Sequence, residues 1–408
     1  MKVDNMRKID YYAGIPLCFL LSLGLGLRRL FQPRRPMTAG KVLLIELSEM
    51  GSAILVDPAM RKLQAHGAEL FFLIFAKNAA SLRLLGTVAE DHVFTIREDG
   101  LVSLVIDTLR FLLWARRQRI DSVIDLELFS RFTALLSGLS GAANRVGYYA
   151  FNNEGLYRGE MLTHRVAYNP YLHISKNFIA MVNALLSERD DDLYSRSIIG
   201  DDEIRLARVD IPDAQQEAMQ QRVQESYPDY VGGRQRIVLI NPNASELLPQ
   251  RRWMPDRYVE VMRRVLAEFD DVLILITGAP AEYAEAEDLK RQVDNERCIN
   301  FAGKLKLQEL PVLYSIASLM LTNDSGPGHF SSITDLHTFV IFGPETPKLY
   351  GSLGNSTPIY AGLACSPCVS AANHRKTPCH DNVCLQMINV EEVFTQIQAA
   401  LAGQAGDV

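Results

Sequence analysis

The sequence predicts an α/β protein of two doubly wound parallel-sheet domains, with a hydrophobic helix at the N-terminus. Three observations carry that expectation. Short apolar runs recur with helix-patterned stretches between them, and these runs are continuous, as strands buried on both faces require. The pattern occurs twice, on either side of a polar stretch at 198–234 that contains Asp201-Asp202-Glu203 and a Gln-rich segment. Finally, 408 residues at 48% hydrophobic and 22% charged supply material for two ordinary cores.

The N-terminal element is the run Tyr11–Leu27, YYAGIPLCFLLSLGLGL, which carries no charge. Lys8 and Asp10 precede it; Arg28, Arg29, Arg34 and Arg35 come after. Crossing a bilayer takes about 20 apolar residues, so the run is short for a span. It lacks a small-residue cleavage site of the A-x-A kind, against a secretory signal. The basic cluster favours a cytoplasmic location for the rest of the chain and attracts anionic head groups. Residues 1–38 are therefore expected to associate with a membrane. A helix lying in the surface is the first reading, a short spanning anchor the second, and a helix buried in the protein the third.

Lys41–Leu47 opens the first α/β domain, assigned to 40–197. It is followed by a helical pattern over Ala53–Gln64, strands at Phe71–Phe75 and Ser122–Leu126, and a helix over Leu101–Arg117. Residues 198–234 read as a linker. A second domain, 235–389, has strands at Ile237–Ile240, Val272–Thr277, Leu319–Thr322 and Thr338–Phe342, and a helix and tail over 390–408 close the chain.

A net charge of −6 and a pI near 5.8 argue against a protein that binds a phosphate backbone, which needs a basic face, so no nucleic-acid partner is expected. Six cysteines in so long a chain are not a disulfide scaffold. Cys18 and Cys298 stand alone. Cys365, Cys368, Cys379 and Cys384 form C-x2-C-x10-C-x4-C, a spacing that could close a structural zinc site, with His374 and His380 as substitutes. Free thiols are the alternative.

The most informative segment is Leu321–Pro344, LTNDSGPGHFSSITDLHTFVIFGP. It reads as strand, glycine-rich turn, helix and strand, the unit in which helix N-terminal amides meet an anion. Gly326 and Gly328 would let the backbone approach a phosphate. Ser325 and His329 would add donors, and Asp324 would accept hydrogen bonds from sugar or ribose hydroxyls. The plain alternative is a tight turn whose glycines are purely structural.

Asp-Ser-Gly-Pro-Gly-His followed by Phe-Gly-Pro-Glu-Thr-Pro at 342–347 resembles the nucleotide-sugar signature of family 9 glycosyltransferases, the bacterial lipopolysaccharide heptosyltransferases. The resemblance runs from Lys41 to Val393. It implies a GT-B fold, two Rossmann-like domains facing across a cleft, with an ADP-sugar donor and inverting transfer. It also implies donor contacts. Ser245 and Arg251 would meet phosphate, Glu282 would take ribose hydroxyls, and Leu305 would pack on adenine. The family places an Asp after the glycine of the first strand–turn, where this chain has Ser52. Glu49 in the same turn is then the expected general base, with Glu46 as a less favoured neighbour.

The function implied is transfer of a sugar, with heptose expected, to a lipopolysaccharide or lipid-linked glycan acceptor at the cytoplasmic face of the bacterial inner membrane. The chemistry would need no cofactor. A non-catalytic nucleotide-sugar-binding scaffold that has lost the family's Asp is the alternative, and a UDP-sugar donor a weaker one.

Overall fold

The computed structural model of the chain describes residues 3–31, 39–47, 50–149, 157–187, 197–244, 248–370 and 376–404. It divides into two compact units, Met1–Arg205 and Leu206–Val408.

Among the described residues the first unit holds six strands: β1 (Lys41–Ile45), β2 (Glu69–Phe75), β3 (Val93–Ile96), β4 (Ser122–Asp125), β5 (Asn144–Tyr149) and β6 (His164–Ala167). All pairings are parallel, in the order β3-β2-β1-β4-β5-β6. Central strands are buried along almost their whole length, which is why their sequences are continuously apolar. The edge strands β3 and β6 are only partly buried, so they carry no such run and escape a reading based on it. The helical pattern at 53–64 resolves into two helices, Met50–Leu55 and Asp57–Ala65, with Pro58 in the first turn of the second.

The N-terminal run folds as helices Val3–Tyr12 and Gly14–Phe31 against this unit. Asp10 accepts from the backbone N–H groups of Arg131 (2.9 Å) and Phe132 (2.8 Å), placing a carboxylate at the start of the helix Arg131–Leu139. Ser22 Oγ accepts from the N–H of Glu160 at 2.8 Å. Cys18 is wholly buried with Ala134 and Met161. A side chain at Gly138 would lie 2.6 Å from Met161 Sδ and 3.2 Å from Leu21, so the glycine permits the close approach of the helices. By length and composition Asn5–Leu27 could cross a membrane, yet one of its sides is packed on the protein.

The second unit repeats the winding with β7 (Arg236–Asn241), β8 (Val272–Ile276), β9 (Cys298–Asn300), β10 (Leu319–Asn323), β11 (His337–Phe342) and β12 (Ser356–Tyr360). Its order is β12-β11-β10-β7-β8-β9, again all parallel. Within the stretch read as a linker, Asp213–Ser226 is a helix that packs on Leu310–Ile316 and buries Met219 and Val223. The final helix, Val390–Gln404, places Val393, Phe394, Ile397 and Leu401 in the core of this unit.

Candidate functional site

In a sheet of this winding the crevice opens where the strand order reverses, beyond the carboxyl ends of the two central strands. In the second unit those strands are β7 and β10. Asn323, the last residue of β10, is fully buried and ties the two loops together. Its Nδ2 donates to the carbonyl of Pro242 at 2.6 Å. Its Oδ1 accepts from the N–H of Trp253 and the hydroxyl of Tyr258, each at 3.0 Å. A lone Asn before an Asp-Ser-Gly turn gave the sequence reading no reason to single it out.

Beyond Asn323 lies a buried charge cluster. Arg251 Nη2 donates to Glu345 Oε1 at 3.0 Å, and Arg251 Nε lies 3.3 Å from Asp324 Oδ2. The second contact is an ion pair without hydrogen-bond geometry. Two carboxylates thus share one guanidinium. Burial pushes Glu345 up to about 7 against the pull of Arg251, and the charge of Asp324 pushes the same way. Burial raises Asp324 too, with Arg251 opposing. For Arg251 burial works against the charge, but Asp324 and Glu345 outweigh it and raise its pKa. Glu345 is the residue the sequence reading left unassigned, though it stands in the Gly-Pro-Glu-Thr-Pro stretch directly after a buried strand. Asp324 is 3% exposed. Its Oδ2 faces Arg251.

The rest of the turn is built from local bonds. Ser325 precedes the helix Gly326–Ser331, and its hydroxyl donates to the carbonyl of Asn323 at 3.2 Å. A Cβ on Gly326 would meet the Phe330 ring at 3.0 Å. One on Gly328 would meet Ser352 at 3.3 Å and Val340 at 3.4 Å. Both glycines therefore serve packing inside the unit, whatever else the turn binds. His329 is buried behind them.

Two further loops reach the same end of the sheet. After β8, Glu282 Oε2 accepts from the N–H of Ala279 at 2.6 Å, so this carboxylate caps a helical turn. Burial raises its pKa. After β9, Gly303 adopts φ +74°, and a Cβ there would lie 3.1 Å from Pro280 Cα of the neighbouring loop. Leu305 lies two residues on, half-buried. Ser245 lies outside the described residues, as does Glu49. Among the cysteines Cys384 is buried and Cys365 exposed. Among the described residues no three His, Cys, Asp or Glu side chains gather where they could hold a metal ion, so the zinc clasp has no counterpart there; His374 lies outside them.

The first unit has its own reversal, between β1 and β4. Glu127 Oε1 accepts from the N–H of Leu47 at 2.8 Å and joins the two loops. Asp125, ending β4, is fully buried; it accepts from Thr133 Oγ1 at 3.0 Å and from the N–H of Glu127 at 3.3 Å. Arg158 Nη1 is 4.0 Å away. Burial pushes Asp125 up to about 7, and burial lowers Arg158. Tyr148 is buried beside them, with burial driving its hydroxyl well above the ordinary value. Glu46 and Ser52 are buried, and the N–H of Glu46 continues the β1–β2 ladder to Leu73 at 3.2 Å.

Two sheets of one winding, with the Asp-Ser-Gly-Pro-Gly-His turn at the reversal point of the second, define a GT-B-type protein. The profile of Glycosyltransferase family 9 (heptosyltransferase) matches residues 116–377. The chain belongs to that family. It is 28% identical over 171 residues to lipooligosaccharide heptosyltransferase 2 of Campylobacter jejuni, covering 41% of this chain and 51% of the relative. It is 24% identical over 106 residues to lipopolysaccharide heptosyltransferase 2 of Salmonella typhimurium, covering 25% and 30%. The match therefore spans about half the length of the first of these curated relatives, and less of the second. The fold is similar to that of E. coli ADP-heptose lps heptosyltransferase II, with a TM-score of 0.69 at 16% identity over 90% of this chain and 99% of that one. E. coli heptosyltransferase WaaC with ADP gives 0.59 at 15% identity over 88% and 99%.

Proposed function

We propose that this protein is an inverting glycosyltransferase that moves a heptosyl unit from an ADP-activated donor to a hydroxyl of a lipopolysaccharide-type acceptor, at the cytoplasmic face of the bacterial inner membrane. The observation that carries this reading is the buried Arg251–Asp324–Glu345 cluster at the reversal point of the second sheet. Burying two carboxylates around one guanidinium is costly for stability, and perturbed charge clusters in a crevice mark candidate functional sites. The names of the relatives, and the solved structure of WaaC with ADP, support the choice of sugar and nucleotide.

In this reading the acceptor oxygen bonds to the anomeric carbon as the bond to the diphosphate breaks. The acceptor proton passes to a base in the first unit, which we assign to Glu49. Arg251, Ser245 and the amides of the 325–329 turn stabilise the departing diphosphate. Proton uptake by Glu345 leaves Arg251 paired with Asp324 alone and so raises its pull on an anion. Asp324 acts by holding Arg251. Glu282 and Leu305, on the loops after β8 and β9, are assigned to the nucleoside. Because protein groups supply the positive charge, this reading calls for no resident cofactor.

The test is thermal stabilisation by ADP, UDP and GDP, followed by transfer from ADP-heptose. ADP should raise the Tm above the other two, and Arg251→Met should cancel the difference. Greater stabilisation by UDP or GDP would overturn the donor assignment.

A further inference from the structure

The first unit leaves one side of itself apolar and uncovered. Of the 23 large apolar and aromatic side chains exposed among the described residues, 14 fall on residues 9–27 and on the helix Leu101–Gln118. Such concentration is unlike the scatter of single exposed apolar residues that any soluble surface shows.

The two stretches share a side. With right-handed crossovers in this strand order, the helices that join β3 to β4 and β4 to β5, Leu101–Gln118 and Arg131–Leu139, lie on one face of the sheet. The helix Gly14–Phe31 packs on Arg131–Leu139 and on the segment leading to β6, where Gly159 closes on Ser22 and Cys18. Their outward faces therefore point away from the same side of the sheet. On the helix Leu101–Gln118 that face is Leu101, Val102, Val105, Ile106, Leu109 and Leu113.

Charge decides what covers it. The only carboxylate of Leu101–Gln118, Asp107, is buried and neutralised by Arg97 at 2.8 and 2.9 Å. Arg110, 3.5 Å from Asp107 and so partly neutralised by it, and Arg117 stay exposed. Asp10 turns inward to Arg131, and from Tyr11 to Phe31 the chain holds no carboxylate but ends on Arg28-Arg29. Exposed Tyr11 and Tyr12 stand at the start of this run. Apolar faces edged by cations and interfacial aromatics fit an anionic bilayer surface.

We propose that this side of the first unit is a membrane-docking face: the helix Gly14–Phe31 lies in the plane of an anionic bilayer surface and Leu101–Gln118 dips into it on the same side. A spanning orientation would strip Asp10 from Arg131, whose side chain is 3% exposed, and Cys18 from its pocket. This inference rests on the reading of a lipid-borne acceptor, and its experiment scores membrane binding separately from transfer.

The experiment is flotation of the full chain with phosphatidylglycerol/phosphatidylethanolamine vesicles, against pure phosphatidylcholine. Binding should favour the anionic vesicles and weaken with salt. Val105→Asp with Leu109→Asp should lower it at least about tenfold, with Tm and transfer to a soluble acceptor unchanged. An N-terminal tag should be cut by protease added on the side that holds the folded units. Undiminished binding of the double variant would overturn the proposal, as would a tag reachable only from the opposite side. A parent that dimerises through this face and ignores vesicles would also overturn it. Vesicle binding by a chain that transfers no sugar would leave the docking face standing and remove the enzymatic reading.

Discussion

The two units share a strand order and place a buried carboxylate–arginine pair at the same point of it, but they hold that pair differently. In the second unit Arg251 lies between two carboxylates at 3.0 and 3.3 Å, which raise its pKa against burial. In the first, Arg158 stands 4.0 Å from a single one, Asp125, and burial lowers its pKa. The stitching differs too. A neutral amide, Asn323, joins the loops in the second unit, whereas the carboxylate of Glu127 does so in the first. An arginine held by two carboxylates at the reversal point suits a diphosphate that arrives and leaves as an anion. A buried carboxylate pushed up to about 7, as Asp125 is, suits proton handling or plain structure.

The sharpest test of that contrast is in the first unit. Glu49→Gln should lower transfer by roughly 10²–10⁴, the usual worth of a general base, with ADP affinity unchanged. If the base is Glu49, adding Ser52→Asp should restore part of the rate. Full activity in Glu49→Gln would move the role elsewhere in that unit, Glu46 and Asp125 being the next carboxylates to replace.

Arg251→Met should follow in size. Losing one positive charge from an oxyanion-stabilising site costs about 10²–10³ in rate, and leaving Asp324 and Glu345 buried together costs about 3–5 kcal/mol in the second unit. Denaturant unfolding and single-turnover kinetics measure the two effects. Asp324→Ala should also destabilise, since the carboxylate is buried and paired.

Arg158→Met should cost less, about 1–3 kcal/mol, because Asp125 can remain protonated once its partner is gone. A loss equal to that of Arg251→Met would break the comparison.

The two raised carboxylates also make stability depend on pH. Asp125 and Glu345 both have folded pKa values raised to about 7. Between the ordinary carboxylate range and 7 the folded chain holds protons the unfolded chain has lost. Stability from each group is therefore complete below about pH 4 and falls as pH rises through 7, by roughly 3–4 kcal/mol at most. Glu345→Gln and Asp125→Asn should each flatten part of that slope, measured by urea unfolding from pH 4 to 8. The smallest effect expected is Gly328→Ala, about 1 kcal/mol from the contacts a Cβ would make at 3.3–3.4 Å.

Much of the fold was legible because parallel strands buried on both faces must be apolar throughout, as in Lys41–Ile45 and Val272–Ile276. The short and edge strands β3, β6, β9 and β12 were not, since part of each lacks the demand for burial or the length to show it. In the site, Arg251 and the Asp324–His329 turn were legible from motif residues. Glu345 and Asn323 were not, because their importance lies in what touches them across 94 and 70 residues of chain, at Arg251 and Trp253.

By itself the sequence determined two α/β units, an apolar N-terminal run and a polar turn at the end of β10, because periodicity and local turn chemistry are written in neighbouring residues. Tertiary structure alone decided that Asp324 is buried against Arg251, that Asp10 caps a helix over a hundred residues away, and that Leu101–Gln118 shows its apolar stripe to solvent. Charge pairing and exposure depend on which distant segments meet. A helix with apolar residues on both sides looks the same in sequence whether one side or neither is covered.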